Sequence, residues 1–469
     1  MKTPAEKYSQ MTTTPIPKLV TVLAIPTILS MLVTALYNMA DTYFIGRIKG
    51  TPEEVTSAAG AAAVVFSLMF VIQACGFFFG QGSGNYISRE LGNKNREGAE
   101  KMATFGFVSA IIFGGLIAVF GLIFIDPLTS ALSPTSTIFP YAKDYAKFIL
   151  IGAPLMCGSF VLNNQMRFQG NAAISMIGII SGAVINVGLD ALFILGFGMG
   201  TDGAGLATAI GQGCGFIVLY IGMRLGNNVK IKMFSYRFKW KYMKEVIDGG
   251  TPSLARQGLS SVATMCLNYA ARGWGGDPTI AAMGIVSRIM SFCFSAILGF
   301  GQGFQPVCGF NYGAKLYGRV KAALFFCLKV SYVILGVVIG SMFAFAPFVV
   351  KLFRDDPEVI SVGALALRAQ CAAFICVPFI TYVNMMLQTI GKVIPATVLS
   401  MGRQGIFFIP TVFLLPLLIG LYGIIAAQPL ADVLTFVLAL IFGVKEIKLL
   451  GAMQKEVDLK QQKEPENAC

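Results

Sequence analysis

Two carboxylates, Asp41 and Asp190, stand inside apolar segments long enough to cross a lipid bilayer. An ionised side chain in hydrocarbon is costly, so an acid at that depth marks an ion or substrate pathway. Asp41 lies five residues before Gly46 in a segment that the charge pattern orients outward, and Asp190 six before Gly196 in another. Thr208 lies five residues after Gly203 in a segment running back. At 1.5 Å per residue the three sit about 7 to 9 Å below the outer boundary, on three different helices. Asn186 is one helical turn from Asp190 and shares its face. Asp41, Asn186, Asp190 and Thr208 thus offer an all-oxygen set suited to a proton or to a small hard cation such as Na⁺. Two acids close together in a low dielectric resist being charged together, so a proton held by one is given up when solvent access changes. With no histidine in the chain, carboxylates must carry any proton. The competing reading, that both acids merely cap or stitch helices, asks two costly groups at matching depth to do a minor job. No cofactor is expected; the coupling ion is H⁺ or Na⁺, and no other metal is expected.

The elements that must position these groups follow from composition. With 55% hydrophobic and 13% charged residues and a mean hydropathy of +0.72, the chain is too apolar for a water-soluble fold of this length. Twelve spans are expected: 18–46, 57–82, 100–125, 138–161, 169–196, 203–224, 247–272, 279–305, 319–346, 360–386, 393–419 and 421–446. Each is long enough to cross about 30 Å of hydrocarbon. They should be helices, because backbone groups in lipid need partners within their own segment, and no alternating barrel pattern is visible. The fold class is therefore an all-α membrane protein.

The formal net charge of +13 is sorted by side and does not point to nucleic acid. Basic residues crowd before the first span, after the second (Arg89, Lys94, Arg96, Lys101), in the break after the sixth (Lys230 to Lys244), after the eighth (Lys315, Arg319, Lys321) and beyond the last, whereas the alternate loops hold few. The positive-inside rule places both termini and the central loop in the cytoplasm. Residues 1–17 lack an apolar stretch followed by a small-residue cleavage site, so no signal peptide is expected to be removed. Eight of the ten cysteines fall inside the expected helices, where they read as packing residues, and no CxxC pair is present.

The chain also repeats itself. Gly80-Gln81-Gly82 returns in the second half as Gly301-Gln302-Gly303, and Gly92, Asn163 and Gly170 return at the same offset as Gly313, Asn384 and Gly391. Pro26 and Pro252, and Gly205 and Gly423, recur at nearly that spacing. Six spans is an even number, so both copies enter from the same side. The expectation is two six-helix lobes, residues 1–225 and 246–469, related by a pseudo-two-fold axis along the membrane normal and joined by a basic cytoplasmic linker at 226–245. Prolines inside spans, such as Pro26 and Pro252, offer places to bend. The second lobe lacks the acidic set. It carries Arg256, Arg288, Arg368 and Arg403 within its spans, with Asp432 near mid-span in the last, and an ion pair among Arg256, Arg403 and Asp432 is geometrically open.

These pieces resemble the multidrug and toxic compound extrusion (MATE) family over essentially the whole chain. The residues that carry the resemblance are Asp41 within Asn38-Met39-Ala40-Asp41-Thr42, Gly80-Gln81-Gly82 followed by Ser88-Arg89-Glu90-Leu91-Gly92, the Asn186 and Asp190 pair, and Gly205-Leu206-Ala207-Thr208-Ala209. In the second lobe they are Pro252, Gly301-Gln302-Gly303 through Gly313-Ala314-Lys315, and Arg403-Gln404-Gly405-Ile406. The resemblance implies a monomeric secondary transporter in the bacterial inner membrane that exports lipophilic organic cations and drugs against inward H⁺ or Na⁺. It implies a first-lobe cation site at Asp41, Asn186, Asp190 and Thr208. Some relatives place a glutamate in the seventh span, where this chain has Gln257.

The 38 Phe and 21 Met suit a pliable cavity for lipophilic cations, with membrane lipid the other contact. Tyr37, Asn38, Tyr145, Asn163 and Met283 are the expected lining residues. The alternative is a flippase for a lipid-linked precursor, which would need a basic central cavity and is kept open by the four arginines. An intramembrane enzyme is disfavoured by the absence of His and of any GxGD string, and a passive channel by the lack of a ring of repeated selectivity residues.

Overall fold

The computed structural model describes residues 3–48, 51–132, 135–225 and 227–463, apart from the side chains of residues 35, 38, 39, 42, 52, 275 and 463. Among these residues all regular structure is helical. A short amphipathic helix, α1 (Pro4–Thr13), precedes α2 (Ile16–Ile45), α3 (Pro52–Gly92), α4 (Arg96–Ile123), the short α5 (Ile125–Leu132), α6 (Phe139–Phe168), α7 (Ala172–Asp190) and α8 (Gly200–Leu225). Then come α9 (Trp240–Gly313), α10 (Tyr317–Ala344), the short α11 (Ala346–Lys351), α12 (Pro357–Phe374), α13 (Val377–Ile390), α14 (Val393–Met401), α15 (Phe408–Ile419) and α16 (Leu421–Lys463). Two π-helical turns interrupt this series, Ala191–Gly196 directly after α7 and Gly402–Ile406 between α14 and α15.

Among the described residues ten helices are long and apolar enough to cross a membrane, and α12 with α13, bent by 48° at their junction, makes an eleventh. The remaining span expected from the sequence, 247–272, lies in the first part of α9. That stretch is helical but carries Arg256, Gln257 and Asn268, which lower its apolar content. It is separated from the next span at Gly276, whose φ of 60° and ψ of −156° are open to glycine and strained for other residues. The second and eighth spans run further than their apolar stretches. α3 continues to Gly92 and α9 to Gly313, which brings Cys308 inside a helix and carries buried polar side chains beyond the apolar stretches. Asn311, for example, is fully buried and donates to the carbonyls of Met11 (3.1 Å) and Val307 (2.8 Å).

The duplication read from the sequence is written into the backbone. Lys94 and Lys315, which correspond at the offset of the repeat, adopt left-handed φ values of 61° and 60°, and so do Gly170 and Gly391, at 81° and 87°. The turn bonds recur in register, Asn95 N–H to Glu90 O at 2.8 Å against Leu316 N–H to Asn311 O at 2.8 Å. Side chains follow as well. Asn163 donates to the carbonyl of Ser175 at 3.3 Å, and Asn384 to the carbonyl of Ala396 at 2.5 Å, each twelve residues on. Two hydrogen-bonded helix pairs built on one plan are what a duplicated gene would leave.

The chain divides into two compact units, Met1–Tyr8 with Ile25–Leu254, and Ser9–Ala24 with Ala255–Cys469. The first unit packs α3, α4, α6, α7 and α8 around a core that includes Phe79, Phe105, Phe107, Tyr145 and Leu162. It also takes in the start of α9, whose Glu245 accepts from Arg89 of α3 at 2.8 Å. The second unit takes in the start of α2: the backbone of Ala24 lies against Gly303, where an added Cβ would meet the Ala24 Cα at 2.5 Å. Pro26 and Pro252 sit within two residues of the points where α2 and α9 pass from one unit to the other.

Candidate cation site

Four helices of the first unit, α2, α6, α7 and α8, bring the expected acidic set together. The approach of α7 to α8 is made by small residues. Cβ atoms added at Gly182 and Gly211 would stand 2.9 Å from the carbonyls of Gly211 and Gly182, respectively, so the two backbones touch, as small residues permit between membrane helices. That contact lets Asn186, one turn beyond Gly182, donate from Nδ2 to Thr208 Oγ1 of α8 at 3.3 Å. The Thr208 hydroxyl is bonded in turn to the phenol of Tyr145 on α6. Tyr145 donates to Asp41 Oδ2 of α2 at 2.9 Å. A chain of polar groups therefore runs Asn186, Thr208, Tyr145, Asp41, with all four side chains buried.

Asp190 closes the set. It is fully buried at the last position of α7, where the helix widens into the π turn, with Phe197 N–H bonding to Leu192 O at 2.9 Å. Such turns occur often at functional sites because they reorient the residues beside them. Asp41 lies near enough for its charge to act on Asp190, and Tyr37 feels both. Asp190 Oδ1 and Oδ2, Asp41 Oδ1 and Asn186 Oδ1 have no hydrogen-bond partner among the described residues. Buried acceptors are normally satisfied, so these four open oxygens stand out, and their chemistry is of the kind that suits a proton or a bare cation. A cavity of about 40 Å³ reaches Asn186 of this set and is lined also by Thr34, Tyr37, Gly182, Thr208 and Gln212. Its volume suits an ion and a few waters, each of which needs roughly 10–15 Å³.

Of the expected lining residues, Tyr37 lines this cavity and bonds with Gln212. Tyr145 lies wholly inside the polar chain. Asn163 is committed to Ser175, with a second bond of 2.6 Å to its hydroxyl, and ties α6 to α7. Met283 is buried in the second unit. The side chain of Asn38 lies outside the described residues. Sequence reasoning missed Tyr145 as a partner of Asp41, since the two are 104 residues apart. It also passed over Gln212, although Gln212 is one turn from Thr208 on the same face. In the second unit the open ion pair is formed: Arg403 Nε donates to Asp432 Oδ1 at 2.8 Å. Arg368 donates to the carbonyl of Phe343 at 3.2 Å.

Comparison with known proteins agrees with this architecture. The MatE family profile matches residues 26–192 and 252–414. The multidrug export protein MepA of Staphylococcus haemolyticus is 28% identical over 419 residues, spanning 89% of this chain and 91% of that one. The MepA of Staphylococcus aureus strain NCTC 8325 is 26% identical over 420 residues with the same coverage. Among solved structures, a MOP superfamily transporter from Pyrococcus furiosus, noted for a binding pocket of reversed polarity, aligns with a TM-score of 0.88 at 24% identity. It covers 96% of this chain and all of that one. An outward-facing multidrug resistance MATE family transporter of the MOP superfamily aligns equally well, at 0.88 and 24%. These neighbours share the twelve-helix, two-lobed fold. A family match on both halves of the sequence, carried by a fold shared over nearly its whole length, means that this protein belongs to the MATE family of membrane transporters.

Proposed function

We propose that the protein is a multidrug exporter that moves lipophilic organic cations out of the cell in exchange for inward H⁺ or Na⁺, by alternating access. The observation that carries this reading is the buried constellation of Asp41 and Asp190 with open oxygens in one helical unit. The MepA relatives, named as multidrug export proteins, support the substrate class. In this scheme the four-helix site takes up the cation when open to the outside, where two uncompensated carboxylates in a low dielectric bind positive charge strongly. Tyr145 holds one oxygen of Asp41 and leaves the other free for the ion, while Asn186 presents its carbonyl oxygen and Thr208 links it to Tyr145. A change of access exposes the loaded site to the cytoplasm, where the ion leaves. Exchange requires only that ion and drug favour opposite states of the carrier, since each shifts the equilibrium by its differential affinity.

The carrier would reside in the bacterial cytoplasmic membrane with both termini inside, work as a monomer and need no other cofactor. The flippase alternative draws less support, because Asp432 neutralises Arg403 and so removes part of the basic character such a cavity needs. The test is ethidium efflux from proteoliposomes with ΔpH and ΔpNa imposed separately. Asp41→Asn and Asp190→Asn should each abolish driven efflux while the protein remains folded. Efflux retained with both substitutions would overturn the assignment, and the gradient that drives the wild-type protein identifies the ion.

A further inference from the structure

The second unit holds a cation of its own making. Arg403 projects from the π turn between α14 and α15. Its guanidinium carbon lies 4.6 Å from the ring centre of Phe294 and 5.9 Å from that of Phe374. Its Nε donates to Asp432 Oδ1 at 2.8 Å, and Gln428 Nε2 donates to the same oxygen at 2.8 Å. The Asp432 side chain is 3% exposed and that of Arg403 14%. Two aromatic faces with a carboxylate at the edge is the chemistry by which proteins recognise organic cations. A buried ion pair is by itself no more stabilising than well-packed apolar side chains. The repeat adds a second pointer, because Gly182, the counterpart of Arg403 in the first copy, lines the cavity of the first unit.

We propose that Phe294, Phe374, Asp432 and Gln428 form an organic-cation site in the second unit, occupied at rest by Arg403, and that small guanidinium or quaternary ammonium compounds compete for it. The ligand class extends the reading of the protein as a cation exporter, but the site stands on its own geometry. Arg403→Ala vacates the cage and leaves the carboxylate in place. The purified variant is titrated with tetramethylammonium and with methylguanidinium while its thermal midpoint is followed in detergent. A saturable rise with both probes in Arg403→Ala, at least about tenfold more sensitive than in the wild-type protein and lost in Arg403→Ala/Asp432→Asn, is the expected result. Stabilisation by methylguanidinium alone would mean that only an ion pair had been repaired, and would overturn the proposal. So would a flat response, or one that persists without Asp432. Should Arg403→Ala be recovered only when tetramethylammonium is present during purification, that recovery supports the site, and failure to recover it even then counts against it. The readout involves neither Asp41 nor Asp190, so its failure leaves the transport assignment standing, and failure of the transport assay leaves this binding result intact.

Discussion

Replacing Gly82 with alanine is the smallest perturbation from which this packing predicts a large effect. A Cβ at that position would stand 2.4 Å from the carbonyl oxygen of Val246 and 2.8 Å from its Cα. Carbon–oxygen contacts settle near 3.3–3.6 Å, so the shortfall is about 1 Å. The facing atoms are backbone and cannot swing aside: across the same seam a Cβ at Gly250 would meet the carbonyl of Phe78 at 2.3 Å. Overpacking a tight site costs roughly 1–3 kcal/mol, and a rigid opposing helix puts Gly82→Ala at the top of that range. The control is Gly115→Ala, in α4, where nothing lies within 4 Å of the new methyl and removal of a helical glycine gains about 0.5–1 kcal/mol. The two variants should therefore differ by about 3–4 kcal/mol in chemical unfolding from mixed micelles. Gly82→Ala as stable as Gly115→Ala would refute the claim that α3 and α9 meet backbone to backbone. Gly303→Ala, at the matching position of the second copy, faces the Ala24 backbone at 2.5 Å and should behave as Gly82→Ala does.

Asn163→Ala and Asn384→Ala should each destabilise by about 1–3 kcal/mol, the cost of stranding buried partners, and unfolding of the two single variants and the double should show the losses adding. A cost confined to one of them would break the equivalence of the two helix ties. Lys7, on the membrane-flanking α1, has its pKa lowered from 10.5 to about 8, chiefly by burial and then by the neighbouring Arg96, while its ammonium donates to Asn228 Oδ1 at 3.1 Å. Between those two pH values the unfolded segment binds more protons than the folded one, so docking of α1 should tighten as pH rises from 8 towards 10.5. Hydrogen exchange of α1, corrected for intrinsic rate, should slow over that interval in the wild-type protein and not in Lys7→Met. Neutralising Asp432 alone leaves Arg403 as an uncompensated charge, so Asp432→Asn should cost about 3–5 kcal/mol, and Arg403→Met/Asp432→Asn should recover most of it in the same unfolding assay.

Much of the fold was legible because lipid leaves few choices. Apolar length gave the spans, loop charge their expected orientation, and a constant offset between matching strings the duplication now visible in Lys94 and Lys315 and in the two asparagine ties. The span at 247–272 came from apolar length like the others, although Arg256 and Gln257 interrupt it. Asp41, Asn186, Asp190 and Thr208 could be singled out because polar groups at membrane depth are rare: counting residues from helix ends placed Asp41, Asp190 and Thr208 at one depth, and Asn186 one turn from Asp190. Tyr145 could not be assigned in this way. A tyrosine in an apolar helix is compatible with lipid, core or cavity, and only the close approach of α6 to α2 sets its hydroxyl on Asp41. The exchange of helix starts between units was equally hidden, because the crossing points near Pro26 and Pro252 follow from tertiary packing and leave hydropathy unchanged.

The most direct test of the coupling claim is to bind a drug-like cation to the purified protein and record what leaves. Adding ethidium or tetraphenylphosphonium to the wild-type protein in weakly buffered detergent should release protons to an indicator dye, or displace bound radioactive Na⁺, as linkage between opposed ligands requires. The Asp41→Asn/Asp190→Asn variant should release neither, and the same release from that variant would contradict the account.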